Sequence, residues 1–349
     1  MTNPAFTILL PVHRPPALLR YSIDSVLAQE RKDFELLVIC DGAPPETAAF
    51  ARDRAAEDVR ILVFDHPKGE RHGEIYRHHA LQTARGLYVC HITDDDLWLP
   101  NHLEEVEKLL LDYDFGNLCH VSIHTDGEVR LYLRRLQHDI IRATMLNEPR
   151  NYFGLTAAAY RMSAYRKLPI GWSPAPRDLA TDLFMWRKFL RLEGITFGTR
   201  IAIANATFAT SDRRDWPIER REAEMASWAE RLVDPLFRER FNQMAFAVAA
   251  REAALREQGT QYLQGRVDSL QQELRNAYSA AAEVRTELPG VPSQPSLPSA
   301  RRGDPRLAVQ AEKIARLRRK LARMRRSASW RMTRPLRWIA RRLGVKARD

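Results

Sequence analysis

The chain has 349 residues, of which 45% are hydrophobic, 28% charged and 9% aromatic, a globular composition that excludes wholesale disorder and allows about two domains. No apolar run approaches the ~18 residues that a membrane-spanning helix needs. The first six residues lack the basic and apolar stretches of a secretory signal, so we expect a cytoplasmic location. Cys40, Cys90 and Cys119 have no paired spacing and are predicted to be reduced core residues.

The net charge of +11 is concentrated near the C-terminus. Residues 301–349 carry 18 Lys and Arg against 3 Asp and Glu, whereas the other 300 residues carry 37 and 41. Nucleic-acid-binding domains have a basic face on their folded body. A body with a net charge of −4 therefore argues against a specific nucleic-acid partner, although the tail alone can contact a polyanion.

Four short apolar runs alternate with amphipathic stretches over the first 112 residues. The runs cover 6–10, 35–40, 59–64 and 87–92, and the predicted helices cover 16–29, 45–56 and 73–84. Continuous apolar strands that alternate with helices form mostly parallel sheets covered on both faces. We therefore predict an α/β fold, and such sheets bind ligands outside the carboxyl ends of their strands.

The pattern changes beyond residue 115. Strands are predicted at 118–123, 129–133, 155–160 and 195–204, and a helix at 179–192 with Leu183, Trp186, Phe189 and Leu190 facing inward. A helix-rich region runs from 219 to 288. Four prolines in 289–298 exclude a helix in that segment. Beyond it, apolar residues recur at heptad-compatible spacing between Leu307 and Met324. We predict a folded domain over 1–215, with halves 1–112 and 113–215, a helical region over 216–288, a linker over 289–305 and a basic helical tail over 306–349.

Three adjacent carboxylates, Asp94, Asp95 and Asp96, directly follow the fourth apolar run. They repel one another unless a cation neutralises them, and Mg²⁺ and Mn²⁺ take one or two carboxylates together with substrate phosphates. A solvated turn before a helix is the alternative interpretation. The position at a strand's carboxyl end favours a ligand site.

Three further segments border the same predicted crevice. Asp41-Gly42 follows the second run, where it either opens a turn or presents a carboxylate to a nucleobase or ribose. Residues 11–16, after the first run, form a stiff proline-rich turn whose backbone faces the same space. Within residues 68–79, Arg71 and Arg77 suit a phosphate because guanidinium groups bind phosphate bidentately, whereas a metal role for the nearby histidines is disfavoured.

Taken together and in order, these segments resemble the family-2 glycosyltransferases that use nucleotide-diphospho-sugars. The resemblance rests on Pro11-Val12-His13-Arg14-Pro15, the helix that ends in Ser25 to Gln29, Glu35 to Gly42, Ala84 to Val89, and Asp94-Asp95-Asp96. It is continuous over residues 5–112 and weaker to about residue 210. It implies a GT-A fold, a nucleotide-diphospho-sugar donor and a bound Mn²⁺ or Mg²⁺.

The resemblance also implies roles for particular residues. The nucleotide-sugar-binding positions that it implies are Pro11, Val12, His13, Asp41, Arg77 and Asp94, and the metal-binding position is Asp95. We add Arg71 to the nucleotide-sugar site for its guanidinium group, and Asp96 to the metal site for its place in the acidic cluster. Asp182, at the start of the 179–192 helix, occupies the place of the catalytic base of inverting members, with Asp178 as the next candidate. A first-turn acid that complements the helix dipole is the alternative interpretation of Asp182.

Two departures from the family pattern stand out. Cys40-Asp41 offers one carboxylate where the family often has two, and Thr93-Asp94-Asp95-Asp96 replaces the usual Asp-x-Asp-Asp. The second departure leaves the choice of metal ligand open among the three aspartates. Other enzyme classes fit less well, since no Gly-x-Gly-x-x-Gly or P-loop follows the first strand.

The expected activity is inverting sugar transfer from a nucleotide-diphospho-sugar to a glycan or lipid-linked acceptor, in surface polysaccharide assembly. A nucleotidyltransferase and a non-catalytic sugar-nucleotide-binding scaffold are the alternatives. In the tail, residues 327–344 have an apolar face beside arginines and tryptophan. This pattern predicts a short amphipathic helix that binds the anionic inner face of a membrane. Docking on this or another subunit, including self-association through helices, is the alternative.

Overall fold

The structure, a computed structural model, describes residues 3–286 and 305–326, and the chain forms two compact units, Met1–Ala249 and Ala250–Asp349. The strands are β1 (Phe6–Val12), β2 (Phe34–Asp41), β3 (Ile61–His66), β4 (Tyr88–His91), β5 (Leu97–Trp98), β6 (Phe115–Leu118), β7 (His120–Ile123), β8 (Val129–Tyr132), β9 (Ala158–Arg161), β10 (Phe197–Arg200) and β11 (Asn205–Ala206). The helices are α1 (Leu19–Leu27), α2 (Pro45–Glu57), α3 (Glu74–Thr83), α4 (His102–Asp112), α5 (Asp139–Asn147), α6 (Met162–Arg166), α7 (Thr181–Leu190), α8 (Ile218–Val233), α9 (Pro235–Thr286) and α10 (Pro305–Arg326).

Seven strands form the main sheet, in the order β10-β6-β9-β4-β1-β2-β3. β1 pairs in parallel with β2 and β4, β2 pairs in parallel with β3, and β10 in parallel with β6. β9 runs antiparallel to both of its neighbours, β4 and β6. The predicted mostly parallel α/β sheet is therefore confirmed.

Strands β1 and β2 are buried because helices cover both faces of the sheet. Successive residues of β1 point to opposite faces, so Leu9 packs in the layer that contains α3 and α7, whereas Ile8 and Leu10 pack in the layer that contains α1 and α4. Cys40, Cys90 and Cys119 are buried and unpaired, as the sequence predicted. This two-sided burial explains why the strands appear in the sequence as continuous apolar runs.

Two predicted strands are divided in the structure. Residues 118–123 belong to two strands in different sheets, β6 in the main sheet and β7 in a hairpin with β8. The chain changes partner at Cys119, whose backbone N–H donates to the carbonyl of Ala202. Residues 155–157 form a 3₁₀ turn before β9 begins. Neither break contains Gly or Pro, so no local pattern in the sequence marks it.

The helical region contributes to both units. In the first unit, Met225, Trp228 and Leu232 of α8 pack with apolar residues of β7 and β8. In the second unit, Ile314, Leu317 and Leu321 of α10 pack with Val267, Leu270, Ala277 and Ala281 of α9. The predicted division into a folded domain, a helical region, a linker and a basic helical tail, with its boundaries at 215 and 288, stays a prediction. Residues 287–304 and the tail segment 327–344 lie outside the described residues.

A helix that spans a bilayer has about 20 consecutive, predominantly apolar residues. Over residues 3–286 and 305–326, no helix combines the length and the apolar character needed to cross a bilayer.

Candidate functional site

A pocket of about 220 Å³ lies at the carboxyl ends of β1, β2 and β4. The start of α7 and the 3₁₀ turn before β9 also contribute to its wall. Its lining residues are Pro11, Val12, His13, Arg14, Asp41, His72, Arg77, Thr93, Asp94, Leu155, Thr181 and Asp182. Seven of the ten predicted site residues are among them, and Arg71, Asp95 and Asp96 are not.

Asp41 ends β2 and is fixed by the loop that follows β3. Its Oδ1 accepts a hydrogen bond from the backbone N–H of Gly69 at 2.7 Å, and its Oδ2 accepts one from the Lys68 ammonium group. Gly73, with a φ of +66°, lies so close that a Cβ there would be 2.6 Å from the Asp41 carboxyl carbon. Glycine is therefore required at position 73 to hold this carboxylate at the pocket.

Arg77 is a buried cation with an incomplete set of hydrogen bonds. Its Nη2 donates to the carbonyl of His72 at 2.9 Å, while its Nε and Nη1 have no hydrogen-bond partner within the described residues. The guanidinium group lies 4.9 Å from the ring centre of Trp172. Burial lowers the pKa of Arg77, and the charges of Glu74 and Asp41 oppose this shift. Such a group in a pocket wall favours an anionic ligand, because an unpaired buried donor is costly.

The three aspartates have different surroundings. Asp94 lines the pocket, with its Oδ1 3.3 Å from Arg14 Nη1. Asp95 points its Oδ2 at Arg14 Nη1, at 2.6 Å, and is buried. Asp96 accepts hydrogen bonds on both oxygens, from the backbone N–H of Phe208 at 2.9 Å and from the Thr156 hydroxyl. Asp96 therefore anchors two loops and has no oxygen without a protein partner.

Burial and mutual repulsion set the protonation of this cluster. Burial and the charge of Asp95 raise the pKa of Asp94 to about 7, although Arg14 opposes the shift. Burial also acts to raise the pKa of Asp95, but Arg14, Thr210 and Arg221 outweigh it and lower that pKa. Asp94 thus binds a proton near neutral pH that a cation can replace, since metal ligands must be deprotonated.

The three aspartates can hold a divalent cation only if a substrate supplies further ligands. Across the part of the chain that the structure describes, no group of three or more His, Cys, Asp or Glu side chains is arranged to hold a metal ion. Mg²⁺ and Mn²⁺ need only one or two protein carboxylates when substrate phosphates complete the shell. Asp94 and Asp95 meet that requirement, and the predicted role of Asp96 as a ligand stays a prediction.

Asp182 lies in the first turn of α7 and lines the pocket. Its Oδ1 accepts a hydrogen bond from the backbone N–H of Leu183 and its Oδ2 accepts one from Asn151 Nδ2, both at 2.7 Å. Burial raises the pKa of Asp182, and these hydrogen bonds and the charge of Arg77 oppose the shift. A raised pKa suits a general base, which has to accept a proton near the working pH. Asp178, the next candidate, is exposed.

Glu74 connects helix α3 to the start of α7. It is fully buried in the first turn of α3, three residues before Arg77. Its Oε1 accepts a hydrogen bond from the Thr181 hydroxyl at 2.6 Å and its Oε2 accepts one from the backbone N–H of His72 at 3.0 Å. One carboxylate therefore holds both His72, whose carbonyl accepts from Arg77, and Thr181, which precedes Asp182.

Arg71 does not line the pocket, unlike Arg77, the other arginine predicted to contact a phosphate. It has a φ of 54°, in the left-handed region, and its Nη2 donates to the carbonyls of Pro176 and Leu179, both at 3.3 Å. The side chain thus holds the segment before α7. Its predicted role in nucleotide-sugar binding stays a prediction.

Sequence reasoning missed five residues that support the site: Glu74, Asn151, Thr210, Arg221 and the side chain of Arg14. Arg14 lies within the Pro11–Pro15 motif, so the sequence indicated that it lies near the pocket. The sequence did not indicate that Arg14 pairs with Asp95. The contacts that the other four make with Asp182, Thr181 and Asp95 join residues that are 31 to 126 positions apart. No spacing rule within one helix or strand connects residues so far apart.

The chain thus has an α/β domain with a pocket at the carboxyl edge of a mostly parallel sheet, the arrangement that the sequence predicted. Residues 7–169 match the family model described as glycosyl transferase family 2. The chain is 31% identical over 133 residues to the succinoglycan biosynthesis protein ExoW of Rhizobium meliloti, a match covering 36% of this chain and 40% of that protein. It is 28% identical over 115 residues to the Escherichia coli UDP-Glc:alpha-D-GlcNAc-diphosphoundecaprenol beta-1,3-glucosyltransferase WfgD, covering 32% and 44%.

The similarity to the glycosyl transferase family 2 model thus extends over residues 7–169, less than half of the chain. The matched segments span less than half of either relative. Among solved structures, Staphylococcus aureus TarS 1–349 in complex with UDP-GlcNAc is similar with a TM-score of 0.46 and 13% identity, covering 90% of each chain. The mannosyltransferase PcManGT of Pyrobaculum calidifontis, in complex with GDP-Man and Mn²⁺, gives a TM-score of 0.44 and 17% identity, covering 95% of this chain and 87% of that one.

Proposed function

We propose that this protein transfers a sugar from a nucleotide-diphospho-sugar to a hydroxyl group of an acceptor, with inversion at the anomeric carbon. One observation carries the proposal: the same pocket contains Arg77, a buried cation with two unpartnered nitrogen atoms, and Asp182, a half-buried carboxylate. A departing diphosphate needs positive charge, and an attacking hydroxyl needs a base. The similarity to the glycosyl transferase family 2 model supports this assignment.

In this proposal the donor lies along the carboxyl edge of the sheet. Pro11, Val12 and His13 contact the nucleoside, and Asp41 accepts a hydrogen bond from the base. Arg77 binds the diphosphate through the two nitrogen atoms that have no partner in the described residues. Burial lowers the pKa of His13, so its imidazole is neutral at pH 7 and does not repel the nucleobase edge or add charge to the site.

The chemical step is a single displacement. The acceptor oxygen forms a bond to the anomeric carbon while the bond between that carbon and the diphosphate oxygen breaks. The diphosphate leaves with the electron pair, stabilised by Arg77, and the hydroxyl proton passes to the Asp182 carboxylate. Attack from the face opposite the leaving group inverts the anomeric centre.

Mn²⁺ or Mg²⁺ is part of the proposal as a resident cofactor. Asp94 and Asp95 are the residues that would hold it. When bound, the cation supplies positive charge to the diphosphate.

We further propose that the acceptor is a glycan or a lipid-linked sugar in surface polysaccharide assembly, at the inner face of the membrane. The support comes from the names of two relatives, one a succinoglycan biosynthesis protein and the other a glucosyltransferase whose acceptor is a diphosphoundecaprenol-linked sugar. The predicted membrane contact through 327–344 is part of this proposal, and it rests on the sequence of that segment alone.

The proposal is tested by measuring the melting temperature of the full chain with a panel of nucleotide-diphospho-sugars, with Mn²⁺ and with EDTA. A ligand at about 100 times its Kd stabilises the native state by about 2.7 kcal/mol, so a true donor should raise the melting temperature clearly. Release of nucleoside diphosphate from that donor should then require the cation. If no donor shifts the melting temperature in either condition, the proposal is wrong, and binding without any release indicates a non-catalytic scaffold.

Asn151 provides a prediction about the base itself. The hydrogen bond from Asn151 Nδ2 stabilises the charged form of Asp182 and lowers its pKa. Asn151→Ala removes that bond, so the pKa of Asp182 rises, and the acidic limb of the kcat/KM–pH profile should move to higher pH by about half a unit to one unit. The measurement is sugar transfer between pH 5 and pH 9.

Asn147→Ala is the matched control for this experiment. Asn147 is an exposed asparagine at the end of α5 whose side chain bonds only to the carbonyl of Ala143 in the same helix. Its replacement should leave the profile unchanged. An unshifted profile in Asn151→Ala would show that a group other than Asp182 controls the acidic limb.

A further inference from the structure

One carboxylate oxygen in the acidic cluster carries an unusual number of donors. Asp95 Oδ2 accepts hydrogen bonds from Arg14 Nη1 at 2.6 Å, Thr210 Oγ1 at 2.7 Å and Arg221 Nη2 at 3.0 Å. A carboxylate oxygen has about two lone-pair directions. Oδ2 is therefore saturated by protein groups, and a cation can ligate it only after at least one donor has left.

Two of these donors are full positive charges. The side chain of Arg221 is 12% exposed and that of Asp95 is 7% exposed, so solvent screens their interaction weakly. Arg14 lies on the pocket wall and also faces Asp94 at 3.3 Å, whereas Arg221 contacts Asp95 alone among the three aspartates. A divalent cation near Asp95 has to overcome the repulsion of both guanidinium groups.

Arg221 reaches the cluster from a helix outside the matched family segment. It lies in the first turn of α8, where its backbone N–H donates to the carbonyl of Pro217 at 3.2 Å. Met225 and Trp228 follow four and seven residues later and are buried, so Arg221 belongs to the packed face of α8. Apolar packing of that face therefore holds the guanidinium group against Asp95, and Arg221 Nε has no partner in the described residues.

We propose that Arg221 is a built-in competitor of the divalent cation at Asp95, so that helix α8 sets the cation affinity of the site. The inference deepens the proposed function and rests on its assignment of Asp95 to the cation. Arg221 acts through Asp95 and is a positioning residue. Ligation of the cation by Asp95 Oδ2 requires a donor to leave that oxygen, and Arg221 is the charged donor that α8 carries, so occupation of this ligand position is coupled to the position of α8.

The test measures Mn²⁺ binding to the full chain, from the electron paramagnetic resonance signal of free Mn²⁺, without any nucleotide. Arg221→Gln removes one positive charge and frees a ligand position, so Mn²⁺ affinity should rise by at least about fivefold. A purely structural role predicts the opposite, because loss of support for Asp95 weakens binding. Arg221→Met, which keeps the apolar stem of the side chain, gives a second measurement if the glutamine variant is poorly folded.

Arg220→Gln is the matched control. Arg220 is the exposed neighbour on the same helix, and its guanidinium group stacks on Trp216 at 3.6 Å from the ring centre. Its replacement changes the net charge equally and should leave Mn²⁺ affinity within about twofold. Adding Asp95→Asn to Arg221→Gln should abolish the gain, because the competition runs through that carboxylate.

The outcomes separate this inference from the proposed function. Unchanged or weaker Mn²⁺ binding in both Arg221 variants, or a gain that survives Asp95→Asn, overturns the inference even if the protein transfers sugar. A gain in Mn²⁺ affinity that depends on Asp95 supports it even if no nucleotide-diphospho-sugar is a donor.

Discussion

Replacing Asp182 by asparagine should reduce sugar transfer by about a thousandfold and leave donor affinity nearly unchanged, because a general base contributes on the order of 10²–10⁴ to rate. The asparagine keeps the size of the side chain and can still accept from the backbone N–H of Leu183, so α7 should begin normally. The residue acts on the acceptor, so the loss belongs in kcat and in kcat/KM for the acceptor. The measurement is steady-state transfer together with donor binding by calorimetry.

Asp178→Asn is the control for this prediction. Asp178 is exposed in the segment before α7 and does not line the pocket, so its replacement should leave the turnover within about twofold. A collapse of donor affinity in Asp182→Asn with high residual turnover would contradict the assignment of the base. A large loss in Asp178→Asn instead would transfer that role to Asp178.

Arg77→Met should weaken donor binding by about 100-fold while the free protein becomes no less stable. A hydrogen bond to a charged group contributes about 1.5–3 kcal/mol, and Arg77 presents two unpartnered nitrogen atoms. In the free protein, burial of this guanidinium outweighs its favourable charge interactions, as its lowered pKa indicates. Methionine of similar length removes that cost. Calorimetry of donor binding and thermal melting of the free protein test the two halves.

Arg213 offers a matched comparison, because it is a similarly buried arginine that forms an ion pair with a carboxylate. Its Nη2 donates to Glu224 Oε1 at 2.7 Å and its Nε donates to Glu224 Oε2. Arg213→Met leaves Glu224 without its partner, and breaking such a pair costs about 3–5 kcal/mol of folding free energy. Equal losses of stability in the two variants would show that Arg77 has a structural role. A donor affinity within about threefold of the parent in Arg77→Met would remove it from the diphosphate site.

The sequence predicted those parts of the fold and site that depend on local pattern. β1, β2 and β4 were predictable because both faces of each strand are buried, which gives continuous apolar runs. Asp41 and Asp94 came with them, since each directly follows such a run. Asp182 was proposed from family resemblance, and its surroundings could not be read from the residues nearby.

The parts that were missed depend on contacts between distant segments. β9 is a central strand of four residues that reverses the direction of the sheet, and nothing in Ala158–Arg161 specifies its partners. Arg221 lies 126 residues from Asp95 and faces it because α8 packs with apolar residues of β7 and β8. Separation of the three aspartates into a pocket residue, an arginine-bound residue and a loop anchor likewise required their neighbours to be known.

The reversed strand β9 has a consequence for the walls of the pocket. Because β9 runs antiparallel to β4, its amino-terminal end lies beside the carboxyl ends of the parallel strands. The segment that enters β9, with Asn151 and Leu155, therefore reaches the pocket, while the segments that leave β1, β2 and β4 form the rest of the edge. An insertion before β9 would therefore change one wall of the pocket without lengthening the loops that leave β1, β2 and β4. The reversal of one strand thus assigns the two walls of the crevice to separate segments of the chain.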